Sequence, residues 1–224
     1  MPVCLFDIDG TLISSGGAGR AALEAAVLSE FGFDKLSAPL ELSGRTDRAI
    51  CRDLLCMHGI EASPANWLRL RAAYLHHLPT TLASHNGKVL PGIIALLEQL
   101  RTRDRVAVGL LTGNLRDGAR LKLGHFDLFH HFAFGGFGDE HFDRDDVARE
   151  ALAAARSHLN GAVDPEQTWV IGDTPLDIRC ARAIGARVAA VATGWHALDE
   201  LAAAQPDLLL TDLSDPRPLL DLWD

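Results

Sequence analysis

The chain has 224 residues, and 48% of them are hydrophobic, which is enough for a sizeable core in one large or two small domains. Its formal net charge of −9 argues against nucleic acid or an anionic membrane surface as a partner. There is no basic N-terminal segment, no apolar run of membrane-spanning length, and no CxxC spacing among the four cysteines. We therefore expect a cytoplasmic protein with reduced thiols, associated with neither nucleic acid nor membrane.

A short apolar run at residues 3–6 opens the chain and predicts a buried strand that ends in Asp7-Ile8-Asp9-Gly10-Thr11. An aspartate carboxylate can attack phosphate and form an aspartyl-phosphate. Because Gly10 ends the strand, the chain can turn and aim Asp9 separately from Asp7, so that one carboxylate attacks while the other moves a proton. Asp and Gly are also common turn residues, so an ordinary strand-end turn is the less favoured alternative for this run alone.

The segment from residue 14 to residue 84 differs from the rest, because its apolar residues follow helical spacing and it contains no strand-like run. The pattern predicts a helix over 18–31, a second helix capped by Thr46, and a third that starts at Ser63-Pro64. Gly16-Gly17 and residues 85–87 are candidate hinges at its two ends. We therefore expect a small all-helical domain at 14–84, inserted after the first strand of an α/β domain made of 1–13 and 85–224.

From Pro91 onward, helical and strand patterns alternate along the chain. The predicted strands lie at 106–111, near 132–134, at 168–171 and at 188–192, followed by a short last strand and a tail helix. The predicted helices between them end at about residues 103, 123 and 158. This alternation is typical of a doubly wound α/β fold with a parallel sheet and right-handed crossovers.

Polar side chains and glycines follow the ends of these strands. The segments are Thr112-Gly113-Asn114, Gly172-Asp173-Thr174-Pro175 with Asp177, and Thr193-Gly194. In open α/β sheets, ligands bind outside the carboxyl ends of the strands, so these residues and the first aspartates converge on one crevice. Several carboxylates in one crevice are costly unless a cation neutralises them.

Three segments at these strand ends resemble motifs of the haloacid dehalogenase superfamily, and they follow one another in the order that the family has. Residues 7–12 resemble the first motif, 112–114 the second and 172–177 the fourth. The resemblance implies that Asp7 is the nucleophile and Asp9 the general acid/base. It also implies a Mg²⁺ cofactor held by Asp7, the backbone carbonyl of Asp9, Asp173 and, through water, Asp177. The implied phosphate-binding groups are the hydroxyl of Thr112 and the amides of Gly113 and Asn114.

The third motif departs from the family pattern. The family places a lysine, often before proline, ahead of the helix that precedes the fourth motif, and none of Lys35, Lys88 and Lys122 fits that place. Lys122 lies a full strand too early. Arg144 stands in the expected position, at the start of a predicted helix. Since an arginine supplies positive charge and a fork of donors to phosphate, we predict that Arg144 binds the phosphate.

The helical insertion is similar to the cap domain of phosphatases in this superfamily, which closes over the site and excludes water. Residues 44–48 resemble the cap loop that contacts substrate in phosphoglycolate phosphatase-like members, and Arg45 is the candidate for that contact. An aspartate at position 9 indicates phosphate-ester hydrolysis or phosphomutase chemistry. We therefore predict a Mg²⁺-dependent phosphoric monoester hydrolase that acts on a small, phosphoglycolate-like metabolite through an aspartyl-phosphate.

Three alternatives remain. A sugar phosphomutase of the β-phosphoglucomutase type shares Asp7, Asp9 and a helical cap, and returns the phosphoryl group to the sugar. A signalling receiver domain also combines Mg²⁺, a phosphorylatable aspartate and a threonine at strand ends, but it has no helical insertion after its first strand. A catalytically inactive phosphate-binding module on the same fold is the third, although Asp7, Asp9, Thr112 and Asp173 are all present.

Overall fold

The computed structural model describes residues 1–36, 40–103 and 105–223. The strands in these ranges are β1 (Val3–Phe6), β2 (Ile13–Ser14), β3 (Lys88–Val89), β4 (Ala107–Leu111), β5 (Gly135–Gly136), β6 (Thr168–Gly172), β7 (Arg187–Val191) and β8 (Leu208–Leu210). All but β2 and β3 form one parallel sheet in the order β5-β4-β1-β6-β7-β8. The strand order reverses beside β1, so the predicted doubly wound parallel sheet is confirmed.

The helices of the described residues are α1 (Ala18–Phe31), α2 (Asp47–Met57), α3 (Pro64–Ser84), α4 (Ile93–Arg101), α5 (Arg116–His125), α6 (Arg144–His158), α7 (Pro175–Ala183), α8 (Leu198–Ala203) and α9 (Arg217–Leu220). The helix predicted over 18–31 is α1. Thr46 caps α2 by accepting from the Ala49 amide, and Ser63 caps α3 by accepting from the Asn66 amide. No helix within the described ranges has the length and apolar character needed to cross a membrane.

One predicted strand lies slightly further along the chain than expected. The strand expected near residues 132–134 is β5, which directly follows that range, where Gly135 and Gly136 pair with Leu110 and Leu111 of β4; Ala133 and Phe134 already hydrogen-bond to the β4 backbone. The apolar pattern missed it because glycine has a low strand propensity and no side chain to mark a buried face. The prediction followed the phenylalanines instead, and residue 132 directly follows a short 3₁₀ helix (Phe129–His131).

Two hydrophobic cores cover the two faces of the parallel sheet. Along β1, Cys4 and Phe6 contribute to one core, whereas Val3 and Leu5 contribute to the other. All four side chains are fully buried. A strand that is buried on both faces produces a continuous apolar run, and this is why β1 was visible in the sequence.

A third hydrophobic core lies among α1, α2 and α3. Its largest buried side chains include Tyr74, Leu54 and Leu70. The chain leaves the α/β part through β2 and returns through β3, which pair as antiparallel strands. These helices therefore have a core of their own beside the sheet.

Candidate active site

Three buried aspartates lie together at the carboxyl ends of neighbouring strands. Asp7 follows β1 and Asp173 follows β6, which pairs with β1, while Asp177 lies in the first turn of α7. Carboxylate oxygens of the three residues lie within 4.8 Å of one another. We call Asp7, Asp173 and Asp177 the carboxylate cluster. The structure thus brings together side chains that the sequence predicted to share one crevice.

Arg144, the first residue of α6, lies between two members of the carboxylate cluster. Its Nη2 is 2.9 Å from Asp7 Oδ1 and 2.6 Å from Asp177 Oδ1, and the arginine side chain is only 3% exposed. Burial raises the pKa of Asp7 to about 6, although the Arg144 charge acts in the opposite direction. The structure therefore places the guanidinium of Arg144 beside Asp7 and Asp177.

Asp177 is fixed by the N-terminal cap of α7, in whose first turn it lies. Its Oδ2 accepts from the Thr174 amide at 3.0 Å and from the Thr174 hydroxyl at 2.8 Å, and Thr174 in turn accepts from the Asp177 amide. This reciprocal arrangement is a capping box, which satisfies amides at the start of α7. The cap holds the carboxylate so that its other oxygen faces Arg144.

Asp173 is fixed by one hydroxyl and two glycines. The Thr11 hydroxyl donates to Asp173 Oδ1 at 3.1 Å. A Cβ atom on Gly194 would lie 1.7 Å from Asp173 Oδ2, and one on Gly10, which has a φ of +86°, would lie 2.3 Å from it. Both positions therefore require glycine. The sequence showed Thr11 and Gly194 at strand ends, but it gave no indication that both serve Asp173.

The carboxylate cluster has the properties of a site for a divalent cation. Burial, together with the charges of Asp177 and Asp7, raises the pKa of Asp173 well above its ordinary value. Arg144 is the cation paired with the cluster in the described part of the chain, so three carboxylates face one positive charge. Hard oxygen donors of this kind suit Mg²⁺. The residues present fit the predicted cofactor, and Asp7 and Asp173 are the side chains best placed to hold it.

Asp9 lies in a separate network with a buried lysine. Lys122 Nζ of α5 donates to Asp9 Oδ2 and to Asn114 Oδ1, both at 2.6 Å, and Asn114 Nδ2 donates to Asp9 Oδ2 at 2.9 Å. Burial acts to raise the pKa of Asp9, but the Lys122 charge and these hydrogen bonds outweigh it, so the pKa lies below its ordinary value. The two aspartates of the first motif therefore occupy different electrostatic environments.

The contact between Lys122 and Asp9 was not predicted from the sequence, because Lys122 precedes the third-motif position. The buried positions of α5 include Gly118, Ala119 and Lys122, so the lysine lies on the helix face that packs inward. The helical spacing of residues 115, 119 and 122 was the available signal. A buried lysine on such a stripe needs an anionic partner, and Asp9, whose own side chain is 38% exposed, is that partner.

The second motif lies between the sheet and the helical segment. Thr112 directly follows β4, and its hydroxyl accepts from Asn114 Nδ2 at 2.8 Å. The Gly113 carbonyl accepts from the Asp47 amide at 2.7 Å, and a Cβ atom on Gly113 would lie 2.1 Å from the Arg45 carbonyl oxygen. Helix α5 begins at Arg116, two residues after this motif.

The loop at residues 44–47 contacts the site through the backbone of Gly44 and the side chain of Asp47. Arg144 Nη1 donates to the Gly44 carbonyl at 3.1 Å, and Asp47 Oδ2 accepts from the Leu115 amide at 2.8 Å. The guanidinium of Arg45 pairs with Asp53 of α2. The loop thus lies beside Arg144, whereas the Arg45 side chain lies against α2 and not against the carboxylate cluster.

Comparison with known proteins defines the class. The model of the haloacid dehalogenase-like hydrolases matches residues 1–185, and the chain belongs to this family. A phosphoglycolate phosphatase from Synechococcus elongatus is 28% identical over 96% of this chain and 95% of its own length. A validoxylamine A 7'-phosphate phosphatase from Streptomyces hygroscopicus subsp. limoneus is 30% identical over the same shares of the two chains. These matches confirm the predicted family and the predicted class of phosphoric monoester hydrolase.

Solved structures share the fold over the full length. A hydrolase from Pseudomonas syringae superimposes with a TM-score of 0.72 at 22% identity, covering 99% of this chain and 98% of that one. A predicted phosphoglycolate phosphatase from Haemophilus somnus superimposes with a TM-score of 0.71 at 16% identity, with 98% of each chain covered. The likeness extends through the helical segment as well as the sheet.

Proposed function

We propose that the protein is a Mg²⁺-dependent phosphatase that hydrolyses a small phosphorylated metabolite of the phosphoglycolate type through an aspartyl-phosphate at Asp7. The observation that carries this proposal is the geometry around Asp7, which is buried beside Arg144 and two further carboxylates. Such a site has a nucleophile, a fixed positive charge and oxygen ligands for a hard cation. Phosphoglycolate phosphatases among the relatives support the substrate class.

Asp7 and Asp9 divide the chemistry. A carboxylate oxygen of Asp7 bonds to phosphorus, the bond from phosphorus to the leaving oxygen breaks, and a proton from Asp9 satisfies that oxygen. Water then attacks the phosphorus of the aspartyl-phosphate, Asp9 takes a proton from the water, and the bond to Asp7 breaks. Lys122 and Asn114 favour the ionised form of Asp9, which is the form that accepts the proton.

The charges of the site fit a bound phosphate once the cation is present. Mg²⁺, when bound, neutralises the carboxylate cluster and the phosphate oxygens together. The Nε of Arg144 is buried without a hydrogen-bond partner among the described residues, which supports a role as a phosphate donor. The Thr112 hydroxyl accepts from Asn114, so its own hydrogen is left for a phosphate oxygen. The amides of Gly113 and Asn114 complete the proposed phosphate site, and the Asn114 amide would have to leave the Thr112 hydroxyl, to which it donates at 3.3 Å.

We also propose that residues 14–84 form a cap that selects the substrate. The hydrophobic core among α1–α3 and the docked loop at 44–47 support this role. Arg45 remains the candidate for a second anionic group of the substrate. It would have to leave Asp53 to make that contact.

The phosphomutase alternative is less favoured. A putative β-phosphoglucomutase from Thermotoga maritima shares the fold with a TM-score of 0.62 at 20% identity. Likeness at that level concerns the fold, whereas the relatives matched by sequence are phosphatases. A mutase would convert one sugar phosphate into its isomer without releasing phosphate.

The proposal is tested by measuring inorganic phosphate release from p-nitrophenyl phosphate, phosphoglycolate and a set of sugar phosphates. We expect turnover with Mg²⁺, none in excess EDTA, and the highest kcat/KM on a small carboxylated phosphate ester. Full turnover in EDTA contradicts the metal site. Isomerisation of a sugar phosphate without phosphate release supports the mutase, and inactivity on every ester supports a binding module.

A further inference from the structure

We infer that Lys122 is a positioning residue that holds Asp9 as the base for hydrolysis of the aspartyl-phosphate. Its ammonium is 2.6 Å from Asp9 Oδ2, and the lysine side chain is only 6% exposed. The two residues are 113 positions apart in the sequence. The inference rests on the proposed function, since only an enzyme in which Asp9 moves a proton needs this control.

The ammonium of Lys122 is enclosed by the helical segment. A Cβ atom built on Gly19 of α1 would lie 3.2 Å from Lys122 Nζ and 4.0 Å from the Tyr74 hydroxyl of α3. Residues of α1 and α3 therefore border the ammonium. Tyr74 is itself only 1% exposed. A buried ammonium keeps its position only if its donors are satisfied, and Asp9 and Asn114 accept from it. The ammonium is therefore a fixed charge, in contrast to a solvated lysine.

This fixed charge limits how Asp9 can turn. Oδ2 of Asp9 accepts from both Lys122 and Asn114, so rotation of the carboxylate would break two hydrogen bonds at once. Neither of these donors is bonded to Oδ1, and Ser15 makes a further side-chain hydrogen bond to the same carboxylate. We infer that Oδ1 is the oxygen that takes a proton from water. The Asn114 amide also donates to Thr112, and this links the orientation of Asp9 to the proposed phosphate site.

The inference predicts which kinetic step depends on Lys122. With p-nitrophenyl phosphate, the leaving group departs as a stable anion, so formation of the aspartyl-phosphate needs little help from Asp9. Hydrolysis of the aspartyl-phosphate still needs a base. Loss of Lys122 therefore slows the second step and leaves the first nearly intact. kcat/KM reports the first step, whereas kcat includes the second.

The test is steady-state and rapid-mixing kinetics of Lys122→Met with p-nitrophenyl phosphate and Mg²⁺. We expect kcat to fall by roughly 100-fold, within the range for acid–base catalysis, with kcat/KM changed by less than about threefold. A burst of p-nitrophenol equal to the enzyme concentration should appear, because the aspartyl-phosphate accumulates. Lys35→Met, at an exposed lysine, is the matched control and should behave as wild type.

A parallel loss of kcat and kcat/KM without a burst overturns the inference, because it indicates a structural role or a direct phosphate contact. Comparison of Asp9→Asn with Asp9→Asn/Lys122→Met gives a second test. The double variant removes both members of the ion pair, so neither charge is left without its partner. The double variant should match Asp9→Asn within about threefold, since Lys122 acts through Asp9. A further large loss contradicts this. If wild type releases no p-nitrophenol at all, the proposed function itself fails.

Discussion

Arg144 is the residue at which this chain departs from its family and at which the geometry is most informative. It pairs with Asp7 and Asp177, and all three side chains are almost fully buried. Removal of one partner from a buried ion pair leaves the remaining charge without compensation, and this is costly. Arg144 therefore affects the stability of the fold as well as the proposed phosphate contact.

We predict that Arg144→Ala lowers the free energy of unfolding by about 3–5 kcal/mol without Mg²⁺. Transition-state stabilisation, measured from kcat/KM, should fall by about 2–4 kcal/mol. Arg144→Lys should recover part of both losses, because it keeps the charge and loses the fork of donors. Urea unfolding and steady-state kinetics measure the two effects.

Arg149 and Arg156 lie on the same helix, are exposed, and serve as matched controls. Their alanine variants should change stability by no more than about 0.5 kcal/mol. If Arg144→Ala behaves like them, the assignment of the third motif to Arg144 is wrong.

Gly194 tests the metal site without altering a ligand. A Cβ atom there would overlap Asp173 Oδ2, so Gly194→Ala must displace the carboxylate. We expect the Mg²⁺ concentration for half-maximal binding, measured by calorimetry, to rise by at least about tenfold, as for other changes that disturb ligand orientation. Gly161→Ala is the control, since its Cβ atom would meet only the Leu159 carbonyl oxygen at 3.7 Å. Unchanged Mg²⁺ affinity in Gly194→Ala would remove Asp173 from the proposed ligands.

At the level of elements, the helical segment and α5 are joined by a buried carboxylate. Asp47 of α2 accepts from the Leu115 amide at the start of α5, so one helix of the insertion caps a helix of the α/β part. Burial raises the pKa of Asp47 from an ordinary value of 3.8 to about 6. Ionisation of Asp47 is therefore less favourable in the folded state than in the unfolded state.

The sign of the resulting pH dependence follows from proton binding. At pH values between the unfolded-state pKa of 3.8 and the folded-state pKa of about 6, Asp47 binds more protons in the folded state than in the unfolded state. The contribution of Asp47 to the free energy of unfolding therefore falls as the pH rises through this range. Asp47→Asn keeps an acceptor for Leu115 and does not titrate. We predict that the difference in melting temperature, Asp47→Asn minus wild type, increases from about pH 4 to about pH 7 and is constant above that range. A relative melting temperature that falls with pH would show that Asp47 is stabilised as the anion.

Local patterns predicted much of the fold, because the information lies within single elements. Continuous apolar runs marked β1, β4, β6 and β7, and hydroxyl caps marked the starts of α2 and α3. The Gly135–Gly136 strand had no such pattern, since its pairing depends on β4 and not on its own side chains.

The candidate site was predictable where motifs lie on strand ends and unpredictable where partners are distant. The sequence placed Asp7, Asp173 and Arg144 in one crevice, as the structure does. It did not indicate that Lys122 would reach Asp9, because that contact requires α5 to cross beside the first strand. Spacing along one helix shows which face is buried, but not which residue the face meets.

For the whole molecule, the two buried cations of the described residues, Arg144 and Lys122, both lie in the candidate site, although the net charge of the chain is −9. Arg144 pairs with Asp7, whereas Lys122 pairs with Asp9, so the two aspartates of the first motif have different cationic partners. We propose that Asp7 alone forms the bond to phosphorus, whereas Asp9 moves protons.

The most direct test of this claim is the rate of p-nitrophenyl phosphate hydrolysis by Asp7→Asn with saturating Mg²⁺, after circular dichroism has confirmed that the variant is folded. An amide of the same shape cannot attack phosphorus, so we predict that turnover falls to the uncatalysed background. Asp9→Asn, measured beside it, should retain slow turnover reduced by roughly two to four powers of ten. Hydrolysis by Asp7→Asn at a rate near that of wild type would contradict the aspartyl-phosphate mechanism.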